Sequence, residues 1–324
     1  MEAVASDKEE LLISKFEFKD KKNELLFFFK PECFLVESYY TERIIEMVLD
    51  KFSLYNVDIS GILLLKGKAL EELGIMDRHY GFINKLSKTA SKIITDEEIV
   101  QIQQNLEIDE IRKYKLLGGH EFLNEFSEFD EHSLDKLWAT RKSIKLRSGF
   151  YIQKYTVNKT DVVLVNGFHP AQLKHFTDPS HQIVLFLVHS DVDWKTLKWD
   201  LVGNTFPERA KPNSIRGEMF QNSSKYGITQ VSISNNCVHL SAGPFEALFE
   251  INNFLKDVQG VDFNLSNTNM FRKMSEKKLS KQNIEKSIYN PVTQIDGKEI
   301  NLSTLTEDKD SYDAIYEYIK YFIS

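Results

Sequence analysis

The stretch N-C-V-H-L-S-A-G-P-F-E-A-L-F-E, residues 236–250, decides the fold that we predict for this chain. Its apolar start, Cys237-Val238, is typical of a strand, and the large apolar residues after Ser241 recur at the spacing of a helix. Ser241 is a good cap for that helix, since its hydroxyl can accept a backbone N–H. His239 is therefore predicted to lie where a strand passes into a helix.

Carboxylates on the same predicted helix can reach this histidine. Glu246 and Glu250 lie one helical turn apart along one face. An imidazole at a strand end, oriented by a carboxylate, suits a nucleophile that accepts a phosphoryl group, because neutral histidine is populated near pH 7. Most histidines in such positions are core or rim residues, so the motif alone leaves that structural interpretation open.

Further segments, in chain order, make the sequence resemble the nucleoside diphosphate kinase family. The family ends its first strand in K-P-D-G, binds phosphate with the tyrosine of an H-Y pair and stacks the base near F-P-G-L. A G-x-T-x-P loop and a G-T-I-R-G-D signature follow. The matching segments here are Lys30-Pro31-Glu32, His79-Tyr80, Phe168-His169-Pro170-Ala171-Gln172-Leu173, residues 203–207 and Ser214-Ile215-Arg216-Gly217-Glu218.

The resemblance implies four catalytic residues. His239 matches the phosphorylated histidine, and Glu250 matches the glutamate that holds its imidazole. Ser241 matches the serine beside the histidine, and Lys30 matches the lysine that ends the first strand. The implied reaction is a ping-pong transfer, in which ATP phosphorylates the histidine and a nucleoside diphosphate then takes the phosphate.

The resemblance also implies a nucleotide pocket. Phe168 would stack on one face of the base, with Leu173 or Gln172 on the other, so the base would be poorly discriminated. Mg²⁺ is expected to be held mainly by the nucleotide phosphates, and no metal site made of protein ligands is predicted. The implied nucleotide-binding residues are Lys30, Tyr80, Phe168, Leu173, Thr205, Arg216, Asn236 and Lys198.

The chain departs from the family pattern in two places, before the loop at residues 203–207 and around His239. Trp199 stands where the family has a second phosphate-binding arginine, and Lys198 beside it offers a charge without the two parallel hydrogen bonds of a guanidinium. Ala242 replaces an acidic residue, and extra residues precede the histidine strand. Two alternatives therefore stay open beside the kinase: a nucleotide-binding regulatory module, and a nucleoside triphosphatase in which His239 assists water.

Composition narrows the class of protein. With 324 residues and 42% apolar content, the chain can bury a substantial core. No run approaches the roughly 18 apolar residues of a membrane span, and the polar, acidic start is unlike a signal peptide, so we expect a cytoplasmic protein without a membrane partner. The net charge of −7 disfavours binding to nucleic acid. Cys33 and Cys237 are too few for a disulfide framework or a zinc site.

The order of apolar runs predicts an α+β protein with a ferredoxin-like βαββαβ fold, in which a four-stranded antiparallel sheet carries helices on one face. Strands are predicted at residues 24–35, 57–66, 183–189 and 236–240, and helices at 40–54, 69–80, 170–176, 194–202 and 242–256. Runs at 148–157 and 161–165, around Asn158-Lys159-Thr160, predict a β-hairpin.

The predicted boundaries are an N-terminal extension (1–22), a kinase-like domain (23–81 and 166–258), an inserted helical and hairpin segment (82–165) and a C-terminal extension (259–324). The insertion enters beside Tyr80 and leaves beside Phe168, so it is either a lid over the base or a packed decoration.

The C-terminal extension is predicted in two parts. Residues 269–285 are read as an exposed helix or mobile linker, and residues 311–323 as an amphipathic helix that docks on the domain or on a partner chain. ATP and nucleoside diphosphates are the expected partners. Family members assemble into oligomers, so a homo-oligomer stays open for this chain.

Overall fold

The structure is a computed structural model that describes residues 10–323. The strands in this range are β1 (Glu10–Ser14), β2 (Asn23–Phe29), β3 (Asp58–Lys66), β4 (Lys115–Gly118), β5 (Ile144–Arg147), β6 (Phe150–Val157), β7 (Thr160–Val165), β8 (Gln182–Ser190), β9 (Val238–Leu240), β10 (Val292–Ile295) and β11 (Lys298–Asn301). The α-helices are α1 (Ser38–Leu54), α2 (Gly67–Glu72), α3 (Ile75–His79), α4 (Gly81–Ile93), α5 (Asp96–Leu106), α6 (Gly119–Glu125), α7 (Glu131–Ala139), α8 (His169–Thr177), α9 (Trp194–Thr196), α10 (Ile215–Gln221), α11 (Pro244–Leu255), α12 (Asn269–Glu276), α13 (Lys281–Ser287), α14 (Leu302–Thr306) and α15 (Ser311–Tyr318).

The chain divides into two compact units. The first unit spans Met1–Leu73 and Pro179–Ser324, and the second unit spans Gly74–Asp178. The first unit holds a five-stranded sheet in the order β1-β3-β8-β2-β9, and each neighbouring pair is antiparallel. Strand β2 reads N-E-L-L-F-F-F and is buried at every position. Such a run needs apolar cover on both of its faces.

Helices cover both faces of this sheet, not the single face predicted. Successive residues of a strand point to opposite faces. Phe27 packs against Phe52 of α1 with ring centroids 5.0 Å apart. Phe28, on the other face, packs against Phe254 of α11 at 5.6 Å. Because β2 is apolar on both sides, one layer of helices would leave half of its side chains in water.

Two further element predictions differ from the structure. The sheet has a fifth strand, β1, which pairs with β3 at the edge and is half-buried or exposed throughout, so no buried run marks it in the sequence. The helix predicted at residues 69–80 is two helices, α2 and α3, because Gly74 between them has a left-handed φ of 60°. No helix among the described residues has the length and apolarity needed to cross a membrane.

The C-terminal part of the first unit is packed. Met270, Met274 and Ile284 are buried in a cluster with Phe245 of α11, so the prediction of an exposed helix or mobile linker at residues 269–285 is wrong. The few apolar residues of that segment fall on one helical face, and this spacing outweighs their low number. The predicted docking of the last helix is confirmed, because Tyr318 packs on Phe245 with centroids 5.1 Å apart.

The second unit holds a sheet in the order β4-β7-β6-β5. The predicted hairpin is confirmed: β6 pairs antiparallel with β7, and the turn residues Asn158 and Lys159 have φ values of 49° and 66°. Two successive left-handed residues match the twist of the strands that they join. Apolar clusters lie on both faces of this sheet, one built on Phe150 and Ile152 and the other on Tyr155 and Leu164.

Candidate active site

His239 lies in β9, next to β2, where it is paired in register with Phe28. The two rings stack with centroids 4.5 Å apart and planes 19° from parallel. The Nε2 of His239 is 2.7 Å from Oε1 of Glu250 on α11, and the two side chains are 18% and 1% exposed. The ring is therefore fixed on one face and at one nitrogen, at the rim of the core.

The Glu250 carboxylate has a second donor. Ser241 Oγ donates to Oε2 of Glu250 at 2.6 Å and accepts the backbone N–H of Leu26 at 3.1 Å. The prediction that Ser241 caps α11 is wrong: the cap position is Gly243, and no side chain accepts there. The hydroxyl instead links β2 to the carboxylate that holds the histidine.

The chain turns sharply just before His239. Cys237 has a φ of 70°, and the N–H of Val238 donates to the carbonyl of Asn236 at 2.8 Å. A hydrogen bond between residues two apart, across a residue of positive φ, defines a γ-turn of the rare and strained kind. Strand β9 therefore begins at Val238. The predicted start at residue 236 is wrong.

The end of β2 holds this turn. The N–H of Cys237 donates to Oε1 of Glu32 at 2.8 Å. The carbonyl of Cys237 accepts from the N–H of Lys30 at 2.8 Å and from the thiol of Cys33 at 3.1 Å. Burial raises the pKa of the Cys33 thiol well above its ordinary value, so the group is a protonated donor. Glu32 has no role in the sequence prediction, although it occupies the acidic position of the K-P-D-G pattern.

Lys30 and Asn236 are in contact. The ammonium of Lys30 donates to Oδ1 of Asn236 at 2.6 Å, and Nδ2 of Asn236 donates to the carbonyl of Thr205 at 3.2 Å. Burial lowers the pKa of Lys30, the charge of Arg216 lowers it further, and the charge of Glu32 opposes both. Three residues that are far apart in the sequence thus meet beside the γ-turn.

Arg216 lies behind the same turn, on the first turn of α10, which Ser214 caps by accepting the N–H of Gly217 at 3.2 Å. Its guanidinium donates to the carbonyls of Gly203 and Val238, each at 2.9 Å. Its Nε has no hydrogen-bond partner among residues 10–323. Burial lowers the pKa of Arg216 to about 10, so the group remains positive at neutral pH.

Lys198 has different surroundings. Its ammonium lies 2.6 Å from a carboxylate oxygen of Glu307 and 2.6 Å from one of Asp308. The indole N–H of Trp199 donates to Asp308 at 2.9 Å. The predicted contact of Lys198 with phosphate would require these ion pairs to break. The sequence pattern contains no signal for them, since they depend on how the C-terminal segment docks.

A second carboxyl group lies one helical turn before Glu250. Glu246 is half-buried. Burial, the charge of Glu250 and to a smaller extent that of Glu307 raise the pKa of Glu246 to about 8, while Lys198 acts in the opposite direction. Glu246 is therefore largely protonated at neutral pH, which keeps a second negative charge away from Glu250.

Tyr80, the predicted phosphate contact, and Phe168, the predicted base contact, both lie in the second unit. Tyr80 packs against His169 and Phe176 with ring centroids 5.4 and 6.0 Å away. Phe168 packs against Trp138 and Tyr151, each with centroids 5.8 Å away.

The other two candidates near the base lie on α8. Leu173 is half-buried. Gln172 faces Nδ1 of His169 at 3.2 Å, and burial lowers the pKa of that histidine to about 4. Gln172 is thus engaged by a neutral, buried imidazole.

No family model matches this chain, and no curated protein matches it in sequence. In structure it is similar to a nucleoside diphosphate kinase from Encephalitozoon cuniculi, at 14% identity over 74% of this chain and 94% of that chain, with a TM-score of 0.34. It is also similar to an NDP kinase from Pyrobaculum aerophilum, at 16% identity over 74% of this chain and 99% of that chain, with a TM-score of 0.35. The assignment of the site rests on its own contacts.

Proposed function

We propose that His239 accepts a phosphoryl group and that the protein transfers the γ-phosphate of ATP to nucleoside diphosphates through it. The observation that carries the proposal is the hydrogen-bonded chain from Ser241 through Glu250 to Nε2 of His239. A carboxylate that is itself oriented by a second donor fixes both the ring and its tautomer. With the proton on Nε2, the lone pair of the imidazole lies on Nδ1.

The transfer has two balanced steps. Nδ1 of His239 attacks the γ-phosphorus, a nitrogen–phosphorus bond forms, and the bond to the bridging oxygen breaks so that ADP leaves. A terminal oxygen of a bound nucleoside diphosphate then attacks the same phosphorus, and the imidazole leaves in its original state. Glu250 stabilises the positive charge that the ring carries while it is phosphorylated.

Lys30 and Arg216 supply positive charge for this reaction. Phosphoryl transfer places negative charge on three equatorial oxygens, and cations fixed in advance stabilise it. Arg216 is held beside Val238, the neighbour of His239, and Lys30 is held beside Asn236. Mg²⁺ carried by the nucleotide phosphates would neutralise further negative charge beside these two cations.

The remaining roles follow the order of the matching segments. Tyr80 and Thr205 are proposed to donate hydroxyls to phosphate, and Asn236 to contact the sugar. Phe168 and Leu173 are proposed to flank the base. In the first unit, the strand order β9-β2-β8-β3 with antiparallel pairing supports a ferredoxin-like interpretation of the sheet.

The proposal is tested by incubating the protein with Mg²⁺ and γ-labelled ATP. We expect acid-labile label on the protein and its transfer to added GDP. His239→Ala should abolish the label, whereas His132→Ala, which changes an exposed histidine of the second unit, should leave it unchanged. Phosphate release without label would point to a triphosphatase and contradict the proposal.

The alternative is a nucleotide-binding regulatory module. The neutralisation of Lys198 by Glu307 and Asp308 favours it, because one predicted phosphate contact is already occupied by acidic side chains. In that case the protein would bind nucleotide in equilibrium dialysis, and neither label nor released phosphate would appear.

A further inference from the structure

We propose that Glu32 is a positioning residue, which holds the strained γ-turn at Cys237 and thereby sets the direction of the His239 ring. The inference rests on the proposed function for its kinetic part. Glu32 touches neither nucleotide nor phosphate in this scheme. It acts through the backbone two residues before the histidine.

The turn needs an external partner. A γ-turn uses the carbonyl of its first residue and the N–H of its third, so the N–H of the central residue is left to find an acceptor elsewhere. That residue is Cys237, which is fully buried and carries a Cβ at a φ of 70°. A side chain other than glycine is strained there and persists only where its surroundings hold it. Oε1 of Glu32, 2.8 Å from the Cys237 nitrogen, is the acceptor.

Glu32 is itself held rigidly. It is 6% exposed and lies in the short 3₁₀ turn Pro31–Cys33, which begins with a proline and is closed by the N–H of Phe34 donating to Pro31 at 2.9 Å. The backbone that carries the Glu32 carboxylate is therefore fixed just after β2. The same strand carries Phe28, on which the histidine ring stacks.

The other end of the turn leads directly to the reacting group. Val238 pairs with Phe29 and gives its carbonyl to Arg216, so the backbone that follows Cys237 has two fixed points before His239. If the N–H of Cys237 loses its acceptor, the strained turn is free to relax, and the relaxation is passed to His239. A displacement of this kind leaves nucleotide binding largely intact and misaligns the attack.

The test compares Glu32→Ala with Glu32→Gln, whose amide oxygen still accepts from the Cys237 N–H. Loss of a residue that orients a catalytic group without touching the substrate lowers activity by roughly 10- to 100-fold. Glu32→Ala should therefore slow labelling of His239 by that factor and leave nucleotide affinity nearly unchanged. Glu32→Gln should recover most of the rate. Glu37→Ala, an exposed glutamate at the start of α1, is the matched control and should behave as wild type.

An NMR measurement of the His239 ring keeps the test independent of activity. The ring resonances should shift in Glu32→Ala and return toward wild type in Glu32→Gln. Wild-type ring resonances together with a wild-type rate in Glu32→Ala would overturn the proposal, and so would a Glu32→Gln variant as impaired as Glu32→Ala. If wild type forms no phosphohistidine, the proposed function fails, and the ring resonances alone decide the role of Glu32.

A third variant covers the case in which Glu32→Ala does not fold. Glu32→Asp keeps the charge near Lys30 but withdraws the acceptor by one methylene. It should reproduce the defect expected of Glu32→Ala. A wild-type rate and wild-type ring resonances in Glu32→Asp would show that charge, and not the hydrogen bond to the turn, is what matters, which would overturn the inference.

Discussion

Two cations of the first unit, Arg216 and Lys198, have opposite surroundings. Arg216 is buried and donates to two backbone carbonyls, of Gly203 and Val238. Lys198 is paired with the carboxylates of Glu307 and Asp308. Both residues are predicted from the sequence as nucleotide contacts.

Arg216 can attract an anion more strongly than Lys198 can. Carbonyl dipoles orient and solvate a guanidinium but leave its full charge, whereas two carboxylates more than cancel an ammonium. Of the two regions, the one around Arg216, beside the γ-turn and His239, therefore keeps an uncancelled positive charge. The Lys198 region is acidic in balance, with Glu246 close enough for Lys198 to influence its pKa.

The largest effect is expected for Arg216→Ala. The variant should phosphorylate His239 about 10³-fold more slowly, the size seen when a fixed cation or donor is removed from a phosphoryl-transfer site. It should also lose about 2–4 kcal/mol of the free energy of unfolding, because two buried carbonyls lose their donors. Rapid-quench labelling and urea denaturation measure the two effects. Arg209→Ala, which changes an exposed arginine in the segment before α10, is the control and should change neither. An unchanged labelling rate in Arg216→Ala would remove Arg216 from the site.

A somewhat smaller effect is expected for Glu250→Ala. The imidazole loses its orienting partner, and we expect labelling to slow by roughly 10²-fold. Ser241→Ala removes one of the two donors to the carboxylate and should show a smaller loss in the same direction. Glu208→Ala, an exposed acid, serves as the control. The role of the hydrogen-bonded chain is wrong if Ser241→Ala is more impaired than Glu250→Ala per folded molecule.

The free energy of unfolding should depend on pH through Glu246, which lies near Lys198. The pKa of Glu246 is raised from 4.5 to about 8, so the folded protein keeps a proton that the unfolded chain releases. Stability from this group is present below about pH 4.5 and is lost as the pH rises toward 8. Glu246→Gln should remove this loss. Above pH 8 the free energy of unfolding of the variant should exceed that of wild type by about 1–3 kcal/mol, once solvent screening is allowed for. Urea denaturation across this pH range provides the check, and parallel curves for the two proteins would contradict it.

The same contrast shows what the sequence could reveal. Local periodicity predicts that His239 lies at a strand end and Glu250 on a helix face. Lys30, Asn236 and Arg216 are predicted from the matching segments and their order. Apolar runs located β3 and β8 to within one residue at each end, because a buried strand must be apolar along its length. They also located the start of β2, but its predicted end at residue 35 is wrong, since the strand stops at Phe29 and a 3₁₀ turn follows.

What the sequence missed depends on contacts between distant segments. The hydrogen bond from Cys237 to Glu32 and the positive φ of Cys237 have no local signal, because cysteine and valine at residues 237–238 favour a regular strand. The pairing of Lys198 with Asp308 depends on the docking of α14 and α15, which apolar spacing predicts only in part. The edge strand β1 is half-exposed, so its pattern does not stand out from a loop.

The smallest effect is expected where the C-terminal segment meets Lys198. Changing Glu307→Gln and Asp308→Asn together would leave the ammonium uncancelled, as Arg216 already is. Lys198 is 15% exposed and Glu307 is 50% exposed, so the pairs are screened by water. Such pairs are worth roughly 0.2–1 kcal/mol each, and we expect nucleotide affinity to rise by no more than about threefold, with a steeper dependence on salt.

The matched control for this double change is Glu299→Gln, an exposed acid of the same C-terminal extension. It removes one negative charge from the protein without touching Lys198, so it separates the local effect from the effect of net charge. Titration of ATP into each protein at low and high salt gives the measurement. If the double variant and Glu299→Gln gain the same ATP affinity for each negative charge removed, Lys198 takes no part in binding. In that case Arg216 and Lys30 alone account for the positive region.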